Sequence, residues 1–165
     1  MIKTGNKTQK HQLVKNRMKS LSSFTSIEHR LELVRSLNEV SWINDSKSTD
    51  MGATAFSLEN VQGPIVWIVG HNEGERNLDL VNELVQDKVV EIICYGNFET
   101  KIKYYFASKI KYTYKQELHD AIALAFQNAK PDSCVLFSPA CSSYLNYENY
   151  KERGDHFKEI VNQLV

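Results

Sequence analysis

Three short runs of nearly unbroken apolar residues constrain this chain more than any other feature: Ile65 to Val69, Val89 to Tyr95 and Cys134 to Phe137. A strand with one face in water alternates apolar and polar side chains, so strands this apolar must be covered on both faces. Segments with helical spacing separate them, at Met51 to about Asn60, Leu78 to Gln86 and Phe98 to Ala107. A further strand is read at Ile110 to Tyr114, and Leu118, Ile122, Ala125, Phe126 and Ala129 then fall on one helical face. A last helix carries Phe157, Ile160, Val161 and Leu164 at i, i+3, i+4 and i+7. Strands alternating with helices in this way predict an α/β, Rossmann-like fold with a mainly parallel sheet flanked by helices.

The beginning of the chain follows another pattern. Leu31, Leu33 and Leu37 alternate with polar residues, Asn38-Glu39 can turn the chain, and Val40 to Asn44 follow, which predicts an N-terminal antiparallel hairpin. Residues 1–24 are read as a basic lead-in, with Lys3, Lys7, Lys10, Lys15, Arg17 and Lys19 and no acid. That stretch is expected to be partly disordered or a short helix from Gln12 to Phe24 on a stripe of Leu13, Met18 and Leu21, leaving residues 25–165 as the folded domain. It has no aromatic residue to stack on bases, and over the whole chain 20 basic residues balance 20 acidic ones, so neither nucleic acid nor membrane is expected as a partner. No apolar run approaches the roughly 20 residues of a membrane span, and the opening MIKTGNKTQKHQ lacks the apolar core of a signal peptide, which points to the cytoplasm. The cysteines Cys94, Cys134 and Cys141 show no C-x-x-C spacing, so no disulfide framework, metal site or thiol nucleophile with a paired base is read.

In a parallel sheet, ligands bind beyond the carboxyl ends of the strands. Three loops lie there: Asn44 to Thr49, Gly70 to Arg76, and Ser138 to Ser143. Small residues, hydroxyls and helix starts suit them to a carboxylate or phosphate held by backbone N–H groups. Each also has a purely structural reading, in which Asp45 and Ser46 cap a helix and Gly70 only turns the chain.

Longer segments are more specific. Trp42-Ile43-Asn44-Asp45-Ser46-Lys47-Ser48-Thr49 resembles the W-x-N-D-S-K-A-T segment of the Mur ligase family of cell-wall peptide ligases, in its D-glutamate-adding branch. Ser138-Pro139-Ala140-Cys141-Ser142-Ser143, with Asn149-Tyr150 and Arg153-Gly154-Asp155-His156-Phe157 behind it, resembles the ending S-P-A-C-A-S…N-F/Y-E-x-R-G-x-x-F of those enzymes. Glu28-His29-Arg30-Leu31-Glu32 is similar to the H-R-x-E segment at which their third domain begins, and the likeness runs from about Ser20 to Val165. It implies the C-terminal domain of a UDP-N-acetylmuramoyl-L-alanine:D-glutamate ligase of peptidoglycan synthesis, which closes over ATP and Mg2+ held by a central domain. The 165 residues contain no G-x-x-x-x-G-K-[ST] loop. The central ATPase domain and the N-terminal UDP-binding domain would therefore act with this chain in cis or in trans, and the chain alone is expected neither to ligate nor to bind nucleotide tightly.

Carried over by position, the resemblance implies that Arg30, Asp45 and Lys47 touch the nucleotide, while Thr49, Ser143 and the backbone around Tyr144 and Tyr150 hold D-glutamate. The alternatives are an ion pair of Arg30 with Glu28 or Glu32, a core role for Tyr150 and a capping role for Thr49, and His29 is read as structural. The chain departs from the family where a G-G-x-x-K-G-x-D-[FY] loop is usual. Gly74 or Glu73 stands at the lysine, Leu145 replaces an aspartate, and Asp50 replaces an asparagine. Two functions stay open: a ligase domain, and a non-catalytic binding or interaction module that kept the fold.

Overall fold

Asn38 and Glu39 both lie in the left-handed region, with φ of 53° and 61°. This is the geometry that lets a two-residue turn follow the twist of its strands. The hairpin forms as read, with β1 (Glu32–Leu37) antiparallel to β2 (Val40–Asn44). The computed structural model describes residues 27–71, 75–97 and 101–165. The basic lead-in with its expected short helix lies outside them, as do Asn72 to Gly74 and the first residues of the helix read from Phe98.

After the hairpin come α1 (Met51–Asn60), β3 (Ile65–Gly70), a 3-10 turn (Leu78–Val81) running into α2 (Asn82–Lys88), and β4 (Val89–Tyr95). Then follow α3 (Lys101–Phe106), β5 (Lys111–Lys115), α4 (Leu118–Asn128), β6 (Cys134–Phe137) and α5 (Tyr150–Gln163). The segment read as one helix from Leu78 opens as a 3-10 turn because the Asn77 side chain takes the Asp79 N–H at 3.2 Å and tightens the start. The last helix begins earlier than its apolar stripe, since Asn149 accepts from the N–H groups of Lys151 and Glu152.

The strands form one sheet in the order β1-β2-β6-β3-β4-β5, parallel except for the opening hairpin. Successive residues of the central strands serve opposite faces. Ile65, Trp67, Val69, Ile92, Cys94 and Leu136 pack with Leu58 of α1, Val85 of α2 and Phe106 of α3. Val66, Ile68, Ile93, Tyr95, Val135 and Phe137 pack with Ile122 and Ala125 of α4 and Phe157 and Val161 of α5. Phe137 and Phe157 stack at 4.5 Å between centroids. Among the described residues no helix is long and apolar enough to cross a membrane.

This layering places the crevice. β3 and β6 are neighbours in the sheet, but the chain leaving β3 goes to the face of α2 and the chain leaving β6 goes to the face of α5. Loops that part to opposite faces leave a gap above the strand ends between them.

The two tryptophans differ in one bond. Both are fully buried, but Trp67 Nε1 donates to the Ser138 carbonyl at 2.8 Å while Trp42 Nε1 has no partner. Trp→Phe at either site removes a similar volume, so Trp67→Phe is expected to cost about 1–3 kcal/mol more than Trp42→Phe. Urea unfolding of the two variants measures this; equal losses would show that the bond to Ser138 contributes nothing.

Candidate functional site

The three loops singled out from sequence meet at one end of the sheet. Asp45 N donates to Phe137 O at 2.8 Å, Gly70 N to Pro139 O at 2.9 Å, and Ala140 N to Ser48 O at 3.0 Å. A Cβ on Gly70 would overlap the Cys141 sulfur, so only glycine lets the second and third loops lie this close.

Asp45 holds them together. Its side chain is fully buried, with Oδ1 accepting from Leu31 N at 3.2 Å and Oδ2 accepting from Ser48 Oγ at 2.5 Å and Ser138 Oγ at 2.8 Å. The carboxylate that the resemblance assigns to the nucleotide is engaged inside the domain in this structure. Burial pushes the Asp45 carboxyl above its ordinary range, against the opposing pull of the Ser48 and Ser138 hydroxyls. It caps no helix, and neither does Thr49; the cap of α1 is Asp50, which accepts from Ala53 N at 2.9 Å.

Arg153 makes the second clamp, one the sequence reading left without a role. Its guanidinium is buried and donates from Nε to Ser46 Oγ at 3.0 Å, from Nη2 to Ser46 O at 2.8 Å and from Nη1 to Cys141 O at 2.9 Å. Ser46 Oγ in turn donates to Tyr150 O at 2.8 Å, so helix α5 is tied to the first and third loops.

His29 is structural, as read. Its ring is buried, and Nδ1 accepts from Asn44 Nδ2 at 3.0 Å, which leaves the proton on Nε2, 3.9 Å from Glu28 and 3.8 Å from Asp155. Burial and the Lys158 ammonium hold its pKa below the ordinary value. A Cβ on Gly154 would overlap this ring, which explains the glycine after Arg153. Glu28, His29 and Asp155 bring ligand atoms within 4.8 Å of one another, but Lys158 Nζ lies 2.7 Å from Glu28 and 3.1 Å from Asp155 and already supplies the positive charge. Lys158 also reaches Glu32, at 3.4 Å, so both acids offered to Arg30 have another cation and Arg30 is exposed.

The other candidates are open to solvent to different degrees. Lys47 Nζ sits 5.7 Å above the ring of half-buried Tyr150, a cation–π contact. Thr49 and Tyr144 are exposed, Tyr144 N–H is directed to Ser142 Oγ at 3.3 Å, and Ser143 is buried. A cleft at the switch point is lined by Gly70, His71, Tyr95, Cys141, Ser143 and Arg153 among others. Of the residues singled out from sequence it gathers Ser143 but not Arg30, Asp45, Lys47, Thr49, Tyr144 or Tyr150.

Arg76, from the same loop as Gly70, donates from Nη2 to Gly70 O at 2.6 Å, while its Nε and Nη1 are enclosed and have no hydrogen-bond partner. Glu73 and Gly74, the residues at the family's lysine, lie outside the described residues.

Fold and site together define an α/β domain with a crevice at its topological switch point, the place where folds of this class bind ligands. The chain belongs to the Mur ligase family: the family model "Mur ligase, glutamate ligase domain" matches residues 29–141. It is 38% identical over 146 residues to the UDP-N-acetylmuramoylalanine--D-glutamate ligase of Chlorobium chlorochromatii, covering 88% of this chain and 32% of that protein. The enzyme of the same name from Christiangramia forsetii is 38% identical over 146 residues, with 88% and 33% covered. The chain thus spans about a third of the length of the curated relatives it matches. Among solved structures, the murein peptide ligase Mpl of Psychrobacter arcticus superposes with a TM-score of 0.57 at 13% identity, over 89% of this chain and 32% of that one. MurF ligase of Thermotoga maritima, solved with ADP, gives 0.55 at 16% identity, over 84% and 32%. At these identities the structures share the fold.

The Asp45 hub has a measurable pH signature. Its folded pKa lies above the ordinary value of 3.8, so the folded domain keeps a proton that the unfolded chain has released. The stability linked to that proton is complete below the unfolded pKa and is lost as pH rises through the folded one. Asp45→Asn has no such proton, so the stability of the wild type relative to this variant should fall as pH rises above about 4. Denaturant unfolding at several pH values checks this, and a constant difference would contradict the burial of the carboxylate.

Proposed function

We propose that this chain is the substrate-holding, nucleotide-closing domain of an ATP-dependent ligase that joins D-glutamate to UDP-N-acetylmuramoyl-L-alanine for peptidoglycan precursors. The activity is the one named for its relatives, and the observation that carries it is the meeting of the three loops at one end of the sheet, beside a cleft lined by the second and third. In such a reaction, ATP with Mg2+ supplies the phosphoryl group that turns the nucleotide-linked carboxylate into an acyl phosphate. The deprotonated amine of D-glutamate would attack that carbonyl carbon, the C–N bond forming as the C–O bond to phosphate breaks; phosphate leaves with that electron pair and the nitrogen gives up a proton to solvent.

This chain's residues contribute position and charge. Lys47, braced on the Tyr150 ring, and exposed Arg30 offer cations to the phosphates from the mouth of the first loop. Ser143 on the cleft wall offers a hydroxyl to the carboxylates of D-glutamate, and exposed Thr49 and the backbone near Tyr144 and Tyr150 would add to it as the resemblance implies. Asp45 acts at one remove by fixing the loops that carry Lys47 and Ser143. The N-terminal and central domains of the family would complete the site. The second reading, a module that kept the fold without the reaction, is favoured by the missing lysine in the loop after β3.

NMR titration of the chain with D-glutamate separates the two. The ligase reading predicts millimolar binding, amide shifts at Lys47, Gly70 and Ser143, and weaker binding of L-glutamate. Losing a charge-assisted contact in Lys47→Ala is expected to weaken binding of a nucleotide such as ADP about tenfold or more. Shifts confined to other parts of the domain, or none at these three loops, would defeat the assignment.

A further inference from the structure

Arg153 lines the switch-point cleft and Arg76 is bonded to its wall at Gly70, and the two guanidinium groups differ in what satisfies them. Every nitrogen of Arg153 donates to an acceptor on Ser46 or Cys141, so its fixed charge is accounted for by the loops it ties together. Arg76 has one such bond, from Nη2 to the carbonyl of Gly70, and Gly70 lies on the cleft wall. Its Nε and Nη1 are enclosed without a partner. Its ionisable neighbours are the thiols of Cys141, whose sulfur is also within reach of the guanidinium, and Cys94 and the phenol of Tyr95, and among the described residues no carboxylate lies within ion-pair distance. Glu75, next in the chain, is exposed and faces Lys101 at 3.9 Å.

Burial of a cation without counter-charge is costly, and burial lowers the pKa of Arg76 for this reason. Unpaired N–H groups of a buried guanidinium are rare in folded proteins, and they gain most from an anion that brings its own oxygens. The requirement matches what the loop otherwise lacks, a cation for a substrate carboxylate.

We propose that Arg76 is the specificity-determining cation of this cleft, binding one carboxylate of the incoming acidic amino acid in place of the lysine absent from its loop. The inference rests on the ligase reading above and adds the residue that selects a dicarboxylate. Arg76 exchanges its hold on Gly70 O for the ligand oxygens, using the two nitrogens that the unliganded domain leaves idle.

The test is NMR titration of the 165-residue chain and its Arg76→Gln and Arg76→Lys variants with D-glutamate, D-glutamine and D-isoglutamine, with inorganic phosphate as a control anion. In the wild type, D-glutamate should bind more tightly than at least one of the two amides, because each amide has lost one carboxylate. In Arg76→Gln, D-glutamate affinity should fall about tenfold or more, and the preference over that amide should disappear. Arg76→Lys keeps the charge and should retain part of both, which separates a ligand contact from a merely structural loss. Wild-type affinity and preference in Arg76→Gln, with shifts still at Gly70 and Ser143, would overturn this inference and leave the ligase reading standing. An effect of Arg76→Gln on phosphate binding alone would overturn it too. No D-glutamate shifts in the cleft of the wild type would remove both.

Discussion

A buried carboxylate with three donors from three parts of the chain organises this end of the domain. Asp45 receives the Leu31 amide from the start of the hairpin, the Ser48 hydroxyl from its own loop and the Ser138 hydroxyl from the end of β6. Ser138 is also met by the Thr54 hydroxyl at 2.9 Å and, through its carbonyl, by Trp67. Leaving any of these donors unpaired in the interior costs more than a surface bond returns, so the loops have little freedom to part. Arg153 does the same from the other side, joining Ser46 and Cys141 to helix α5.

The topology explains why such clamps are needed. The crevice exists because the connections after β3 and β6 leave toward opposite faces, and divergent loops have no ladder between them. Hydrogen bonds from buried side chains take its place. The ligand-facing groups then stand on an ordered base: Lys47 rests on Tyr150, Ser143 borders the cleft, and Arg76 is anchored on Gly70. A site ordered before its ligand arrives spends less of the binding energy on ordering.

Much of the fold was legible because burial on both faces writes itself into composition. The runs Ile65 to Val69, Val89 to Tyr95 and Cys134 to Phe137 became strands, and Asn38-Glu39 became the expected turn. The loops were legible too, since a parallel sheet aligns its strand ends. The roles of single residues were harder to read. Asp45 was given a nucleotide contact by the resemblance alone, while a partner that holds it here is Ser138, 93 residues away. Thr49 and Asp50 are equally good caps by type, and only backbone position chose Asp50. Arg153 stood in the motif that carries the resemblance but its role as a clamp was not legible there, and the idle nitrogens of Arg76 follow from three-dimensional enclosure that no spacing reports.

The central claim is that the three loops are pre-assembled on the Asp45 and Arg153 clamps. Native-state amide hydrogen exchange tests it most directly, because each loop contributes one reporter: Lys47 N–H to His29 O, Gly70 N–H to Pro139 O, and Ala140 N–H to Ser48 O. If the clamps hold, these three amides exchange only through large-scale opening, with protection close to that of Trp67 and Ile93 in the central strands. Exchange at the rate of exposed loops, with the strands still protected, would show that the loops assemble only around a ligand and would contradict the account.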